Sequence, residues 1–232
     1  MQTTPATTPD HRLTAPIQAA LAARDLLPRE HLVDAGYVDA DNLLTSEREH
    51  QIDLVGPALG DNHWQARTPG AYATDAFAID WAARRVTCPE GHASKRWVAT
   101  HDPHGNEDIV VTFDAPTCLA CPDRVRCTRS AAGPRRLTLR PEPQHRALRD
   151  ARARQATPDF AARYAARAGV EGTIAQGVAS CDLRHARYPG HARTRLQHLL
   201  TGAALNLARL AAWFAERPRA ATRPSRLAFL AT

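Results

Sequence analysis

His31-Leu32-Val33-Asp34-Ala35-Gly36-Tyr37, residues 31–37, is the stretch around which the chain organises itself. A short apolar run closed by an acid and then by Ala-Gly predicts a strand that ends on a carboxylate at the mouth of a turn. Upstream, residues 14–27 predict a helix, because Ile17, Leu21 and Leu27 share a face and Pro28 stops it. Downstream, a second helix is expected from about Asp39 to His50, with acids in its first turn, and Ile52 to Val55 reads as a second strand closed by Gly56-Pro57. This helix-strand alternation is the mark of a layered α/β sheet. Ligands gather beyond the carboxyl ends of strands in such sheets, so Asp34 is a candidate site residue. The plainer alternative is an Asp that merely caps the next turn.

Beyond Val55 the pattern changes. Residues 56–75 are rich in Gly, Pro, Asn and Asp and read as a loop. Short β-like runs follow at Phe77–Asp80, Arg85–Cys88, Ile109–Phe113 and Arg136–Leu139. After Pro141 the chain turns helical, with candidates at 142–155 and 158–168 and a long helix from about His191 to Ala215. On that last helix Leu196, Leu199, Leu200, Ala203, Leu207, Leu210, Ala211 and Phe214 mark an apolar stripe, expected to be core over one face of the sheet. The organisation expected is a first core part at 1–55, a β-rich insertion at 56–140, a helical part of the core at 141–215 and a loose tail at 216–232.

With 44% hydrophobic and 23% charged residues, the composition is that of a soluble globular chain. No run reaches membrane-span length, and the Thr/Pro-rich first residues are no secretory signal, so a membrane partner is not expected and the cytoplasm is the expected location. The net charge of +6 is unevenly spread. Residues 129–232 hold 19 of the 30 basic residues and 6 of the 24 acids. A basic C-terminal half points to a polyanion, most commonly nucleic acid. Arg184, Arg187, Arg193 and Arg195 are the candidate DNA contacts, and Arg146, Arg149, Arg152 and Arg154 lie on a preceding helix. A solvated helix face is the competing reading. Trp64 and Trp97 suit core packing better than base stacking.

Five cysteines in a chain of this kind argue against a disulfide framework. Cys118-x2-Cys121-x5-Cys127, with Cys88 upstream, offers four thiolates to a structural Zn²⁺, and His92 is a substitute ligand. Small buried thiols are the alternative. Glu171 stands between Gly169-Val170 and Gly172 near a helix start, where it either serves a site or complements the helix dipole.

Taken together, the His31–Tyr37 block, the Tyr164-x2-Arg167-x3-Glu171 spacing and the run from Gln176-Gly177 through Leu183–Tyr188, Leu196-Gln197-His198 and Asn206–Leu210 resemble DDE-type insertion-sequence transposases over roughly residues 10–215. The resemblance implies a ribonuclease H-like fold, a mixed sheet with flanking helices, interrupted by a mainly β, cysteine-containing insertion; similar transposases carry this same cysteine set. It implies transposition by metal-dependent DNA strand cleavage and transfer, with transposon-end DNA as partner and a full-length transposase or a second copy of the chain as further partners. It makes Asp34 and Glu171 the second and third catalytic carboxylates on Mg²⁺ (or Mn²⁺), supported by Tyr164 and Arg167. Two departures stand out. Val178 occupies a position where many relatives carry Lys, and neither Asp10 nor Asp25 suits the first catalytic Asp. The expectation is therefore a C-terminal, N-terminally truncated part of such an enzyme, inactive alone. A non-catalytic DNA-binding or regulatory protein with a zinc module is the alternative.

Overall fold

The computed structural model describes residues 3–5 and 7–218. These fall into two compact units: Pro9–Ala165, and the described residues of Met1–Thr8 with Ala166–Thr232.

In the first unit a 3-10 turn, Asp10–Leu13, leads into helix α1 (Thr14–Ala22). Strand β1 (Glu30–Leu32) pairs in parallel with β2 (Asp53–Val55), with Glu30 opposite Asp53, His31 opposite Leu54 and Leu32 opposite Val55. Parallel strands need a crossover, and α2 (Ala40–His50) provides it. Its start is fixed by Asp39, whose carboxylate accepts the Asn42 N–H at 2.8 Å, and its end by Gln51 in the left-handed region at φ 54°. Val33, Val38, Leu43, Leu54, Ala58 and Ala151 form the core here. A buried polar link crosses it: Gln18 Nε2 donates to Ser46 Oγ at 2.9 Å, tying α1 to α2.

α1 stops five residues short of the expected Leu27. The N–H of Ala23 bonds back to Ala19, Asp25 takes a left-handed φ of 54°, and Leu26, lacking an apolar face to join, is 61% exposed.

A short helix α3 (Trp64–Arg67) precedes the β hairpin β3 (Ala78–Asp80) and β4 (Arg85–Thr87). Strands β5 (Arg96–His101), β6 (Glu107–Thr112) and β7 (Arg136–Leu139) form an antiparallel sheet in the order β5-β6-β7. Between β6 and β7 lie α4 (Ala115–Ala120) and α5 (Arg124–Cys127). A second core, built on Phe77, Val86, Val111, Phe113, Leu137 and Leu139, takes Cys88, Cys118, Cys127 and Trp97 against its edge. Trp97 meets Trp81 edge-on at 5.5 Å, so it packs. Helices α6 (Glu142–Gln155) and α7 (Pro158–Ala165) complete the unit. The described strands thus make three small sheets, a mixed α/β arrangement.

The second unit is a helical hairpin of α8 (Ala168–Cys181) and α9 (His191–Phe214). Asp182, left-handed at φ 51°, ends α8. Here the expected apolar core of the last helix is corrected. The face of α9 that is buried carries Gln197, Thr201 and Leu205, while Leu196, Leu200, Leu207, Leu210 and Phe214 are 51–74% exposed. The reason is polar. The Gln197 side chain accepts the Arg187 N–H at 2.9 Å and donates to the His185 carbonyl at 2.8 Å, which turns its face inward. Leu205 then meets the close approach at Gly177, where an added Cβ would lie 3.1 Å from Leu183 Cδ2 and 3.5 Å from Leu205 Cδ1.

Candidate functional site

Asp34 follows β1 in extended conformation and opens the 3-10 turn Ala35–Tyr37. Its backbone carbonyl accepts the Tyr37 N–H at 3.0 Å, while the carboxylate makes no capping bond to that turn. The plain capping reading of this Asp therefore does not hold. Val33, held by its N–H to the Val55 carbonyl at 2.9 Å, anchors the residue before it. The residue is exposed, and its carboxylate is a hard oxygen donor of the kind divalent ions take.

Glu171 lies in the first turn of α8 and its side chain is 70% exposed. Arg167, one turn earlier and itself only 16% exposed, donates to Glu171 Oε1 at 2.8 Å. The structure thus brings Arg167 and Glu171 together, as the spacing predicts. Tyr164 stacks on buried Phe160 at 5.6 Å and 11° between planes. Asp34 and Tyr164 belong to the first unit, and Arg167 and Glu171 to the second.

The eight candidate arginines divide sharply. On α6, Arg146 pairs with Glu142, Arg149 with Asp150 and Arg154 with Asp53, and Arg152 donates to the Leu59 carbonyl. Arg184, Arg187, Arg193 and Arg195 are exposed and make no ion pair among the described residues. Charge left unneutralised is what a phosphate backbone meets.

One hub escaped the sequence reading. The parallel register sets Glu30 beside Asp53, a like-charge pair that is unfavourable by itself. Arg163 resolves it: its Nη2 lies 2.7 Å from Glu30 Oε1 and 2.5 Å from Asp53 Oδ2, and Arg154 adds a contact to Asp53 at 2.6 Å. Burial would raise the Asp53 carboxyl, but the hydrogen bond from Arg163 and the charge and hydrogen bond of Arg154 outweigh it and hold it below the usual range. The signal was two acids at aligned strand starts, readable only once the register is known.

Cys88, Cys118, Cys121 and Cys127 line one cavity of about 160 Å³, together with His92, Phe113, Arg124 and Arg135. Cys88 sits at a tight turn: its carbonyl accepts the Gly91 N–H, its N–H donates to the His92 carbonyl, and Gly91 has φ 81°. Cys127 is fixed by its carbonyl, which accepts from Gln65 Nε2 at 3.1 Å and Arg135 Nη1 at 3.0 Å. Burial pushes the Cys127 thiol up to about 11; Arg135 opposes the shift, and Cys118, Cys88 and Cys121 add to it. Cys118, Cys88 and Cys121 therefore each lie within electrostatic reach of Cys127. Among the described residues, no three His, Cys, Asp or Glu side chains form a ready-made ligand group. The soft donor set suits Zn²⁺, and an orphaned polar atom, Arg135 Nε, is buried beside it.

A family model described as a transposase DDE domain matches residues 87–211. The chain belongs to the DDE transposase family. The matched span of this transposase domain takes in all four clustered cysteines, Tyr164, Arg167, Glu171 and the four exposed arginines, whereas Asp34 precedes it. No curated protein and no solved structure matches the chain. DDE transposase domains act on DNA and generally use divalent metal ions. Among the described residues, no helix is long and apolar enough to cross a membrane.

Proposed function

We propose that this transposase domain binds transposon-end DNA through Arg184, Arg187, Arg193 and Arg195, and that Asp34 and Glu171 are two of its metal-holding carboxylates for DNA strand cleavage and transfer. The observation that carries the reading is Glu171: an exposed carboxylate in a helix's first turn, held by a mostly buried arginine, inside the matched span. Mg²⁺ or Mn²⁺, when bound, supplies activation of the attacking oxygen and stabilisation of the leaving one. Arg167 positions Glu171, and Tyr164, stacked on Phe160, is read as a supporting residue by the resemblance. The core is read as ribonuclease H-like, with residues 1–55 and 141–215 as its parts, 56–140 as an insertion and 216–232 as a tail lying largely outside the described residues. The cytoplasm is its place of action.

Asp10 lies in a 3-10 turn and Asp25 in a left-handed turn, neither on a strand, so neither is proposed as a further metal-holding carboxylate. The expected behaviour of this polypeptide alone is DNA binding without cleavage. Plasmid nicking in Mg²⁺ or Mn²⁺ tests it: robust cleavage abolished by Asp34→Ala and Glu171→Ala overturns the expectation of inactivity, whereas cleavage that survives both substitutions overturns the assignment of these two carboxylates. The binding arm is tested by salt titration. Each arginine among the four changed to Gln should lower the slope of log affinity against log salt by up to about 0.9, and absence of DNA binding sinks the proposal. The unpaired arginines also favour a second reading, a regulatory DNA-binding protein that joins a full-length transposase or a second copy.

Cys88, Cys118, Cys121 and Cys127 are read as ligands of a structural Zn²⁺, since four thiolates leave no open position for chemistry. Metal analysis of the purified protein tests this, and protein that carries no zinc after purification in its presence refutes it.

A further inference from the structure

Arg135 lines the cysteine cavity and is itself only 9% exposed. Its backbone lies immediately before β7, the carbonyl accepting the Phe113 N–H at 3.1 Å. The guanidinium lies 5.5 Å from the Phe77 ring centroid and donates from Nη1 to the Cys127 carbonyl. Its Nε has no hydrogen-bond partner. Among the described residues no carboxylate lies within ion-pairing distance of it. Asp61 acts on it from further away, and that carboxylate is already engaged by His63 at 2.6 Å.

A buried guanidinium whose direct contacts are a carbonyl and a ring is unfavourable, because the water it gave up is not replaced by a counter-charge in contact with it. Arg124, the other guanidinium at the cavity, has no such deficit: it is half-buried and donates to the carbonyls of Cys118, Ser130 and Gly133. A divalent ion held by four thiolates would carry a net charge of −2, and Zn²⁺ bound there, with the four thiol protons passing to solvent, would set that charge against the buried cation.

We propose that Arg135 is the counter-cation of a tetrathiolate zinc centre formed by Cys88, Cys118, Cys121 and Cys127. This rests on the zinc reading. The guanidinium is a positioning residue: it holds Cys127 by its carbonyl and offsets the charge of the assembled thiolates. It also accounts for a buried arginine being tolerated at this point of the fold.

The test compares the full chain with Arg135→Met and Arg135→Lys, using Zn²⁺ alone as ligand and a chromophoric chelator as competitor. Arg135→Met should weaken zinc about tenfold or more, the usual scale of an outer-sphere contact, and Arg135→Lys should recover most of that loss. Thermal melts give a second readout that a merely structural contact does not produce. With zinc, Arg135→Met should melt below wild type; stripped of zinc, it should melt above it, because the uncompensated buried charge is gone. Wild-type protein that binds no zinc overturns the zinc reading and this inference together. Zinc bound equally well by wild type and Arg135→Met overturns the inference alone. So does equal loss in the Met and Lys variants, or an Arg135→Met protein that fails to fold without metal.

Discussion

Gly56→Ala is the substitution on which the geometry around Asp34 commits most. A Cβ at position 56 would lie 2.5 Å from the Val33 carbonyl oxygen, 2.7 Å from Val38 Cγ2 and 3.0 Å from Val33 Cγ2. Val33 and Val38 are 7% and 4% exposed, so neither can swing into solvent, and the nearest clash is with backbone. Overpacking of this kind costs about 1–3 kcal/mol, and two contacts inside 3.0 Å place it toward the upper end. The alanine also restricts the unfolded chain, which returns about 0.4–1 kcal/mol. The net loss is about 2 kcal/mol, or roughly 4–8 °C in Tm for a domain of this size. Gly36→Ala is the matched control. It lies two residues past Asp34 with nothing within 4 Å of its added Cβ, so it should be neutral to slightly stabilising. Differential scanning calorimetry of the pair decides the matter. Two variants that melt within about 1 °C of each other would refute the claim that the chain reaching Asp34 is packed directly on the Gly56 backbone.

The Asp53 hub predicts acid sensitivity. Its carboxyl is held low, so its contribution is fully present above the unfolded value of about 4 and is lost as pH falls through the folded value; Asp53→Asn should flatten that part of the stability–pH curve measured by urea unfolding, at a cost of about 1 kcal/mol near neutrality after discounting for partial exposure. His31 is lowered by burial, so its contribution is present above about 6.5 and declines as pH drops below it; His31→Gln should remove that slope, and an unchanged slope contradicts the assignment. On α9, Leu205→Ala should cost about 2–4 kcal/mol, whereas Leu200→Ala, at a residue 62% exposed, should stay within about 0.5 kcal/mol; similar melting temperatures for the two would overturn the inward face described for that helix.

The β1-α2-β2 unit was legible because each signal agreed: a short apolar run, a strand-ending Gly, and an Asp39 cap before the helix. β5 was missed because Lys95, Arg96 and His101 break its alternation; it is a sheet edge, where charged side chains reach solvent without cost. The Tyr164-Arg167-Glu171 spacing was readable, and one turn of helix explains why Arg167 meets Glu171. The inward face of α9 was not. Periodicity reports which residues share a face, and here a single glutamine, bonding two backbone groups of the preceding loop, decides which face turns in. The Asp53 hub and the Arg135 deficit belong to the same class. Both are sums over partners far apart in sequence, and neither leaves a local pattern.

The outward stripe of α9 has a consequence for how this segment tolerates change. Leu196, Leu200, Leu207, Leu210, Trp213 and Phe214 are exposed, so substitutions at them should change the melting temperature of the hairpin little. Exchange among Leu, Ile, Met and Phe at these positions is conformationally silent. What such exchanges alter is the concentration at which chains begin to stick, because contiguous exposed apolar surface sets colloidal behaviour. For this helix the binding constraint is solubility, and variants that replace two or three of these side chains by Gln or Lys should remain folded and stay dispersed at higher concentration.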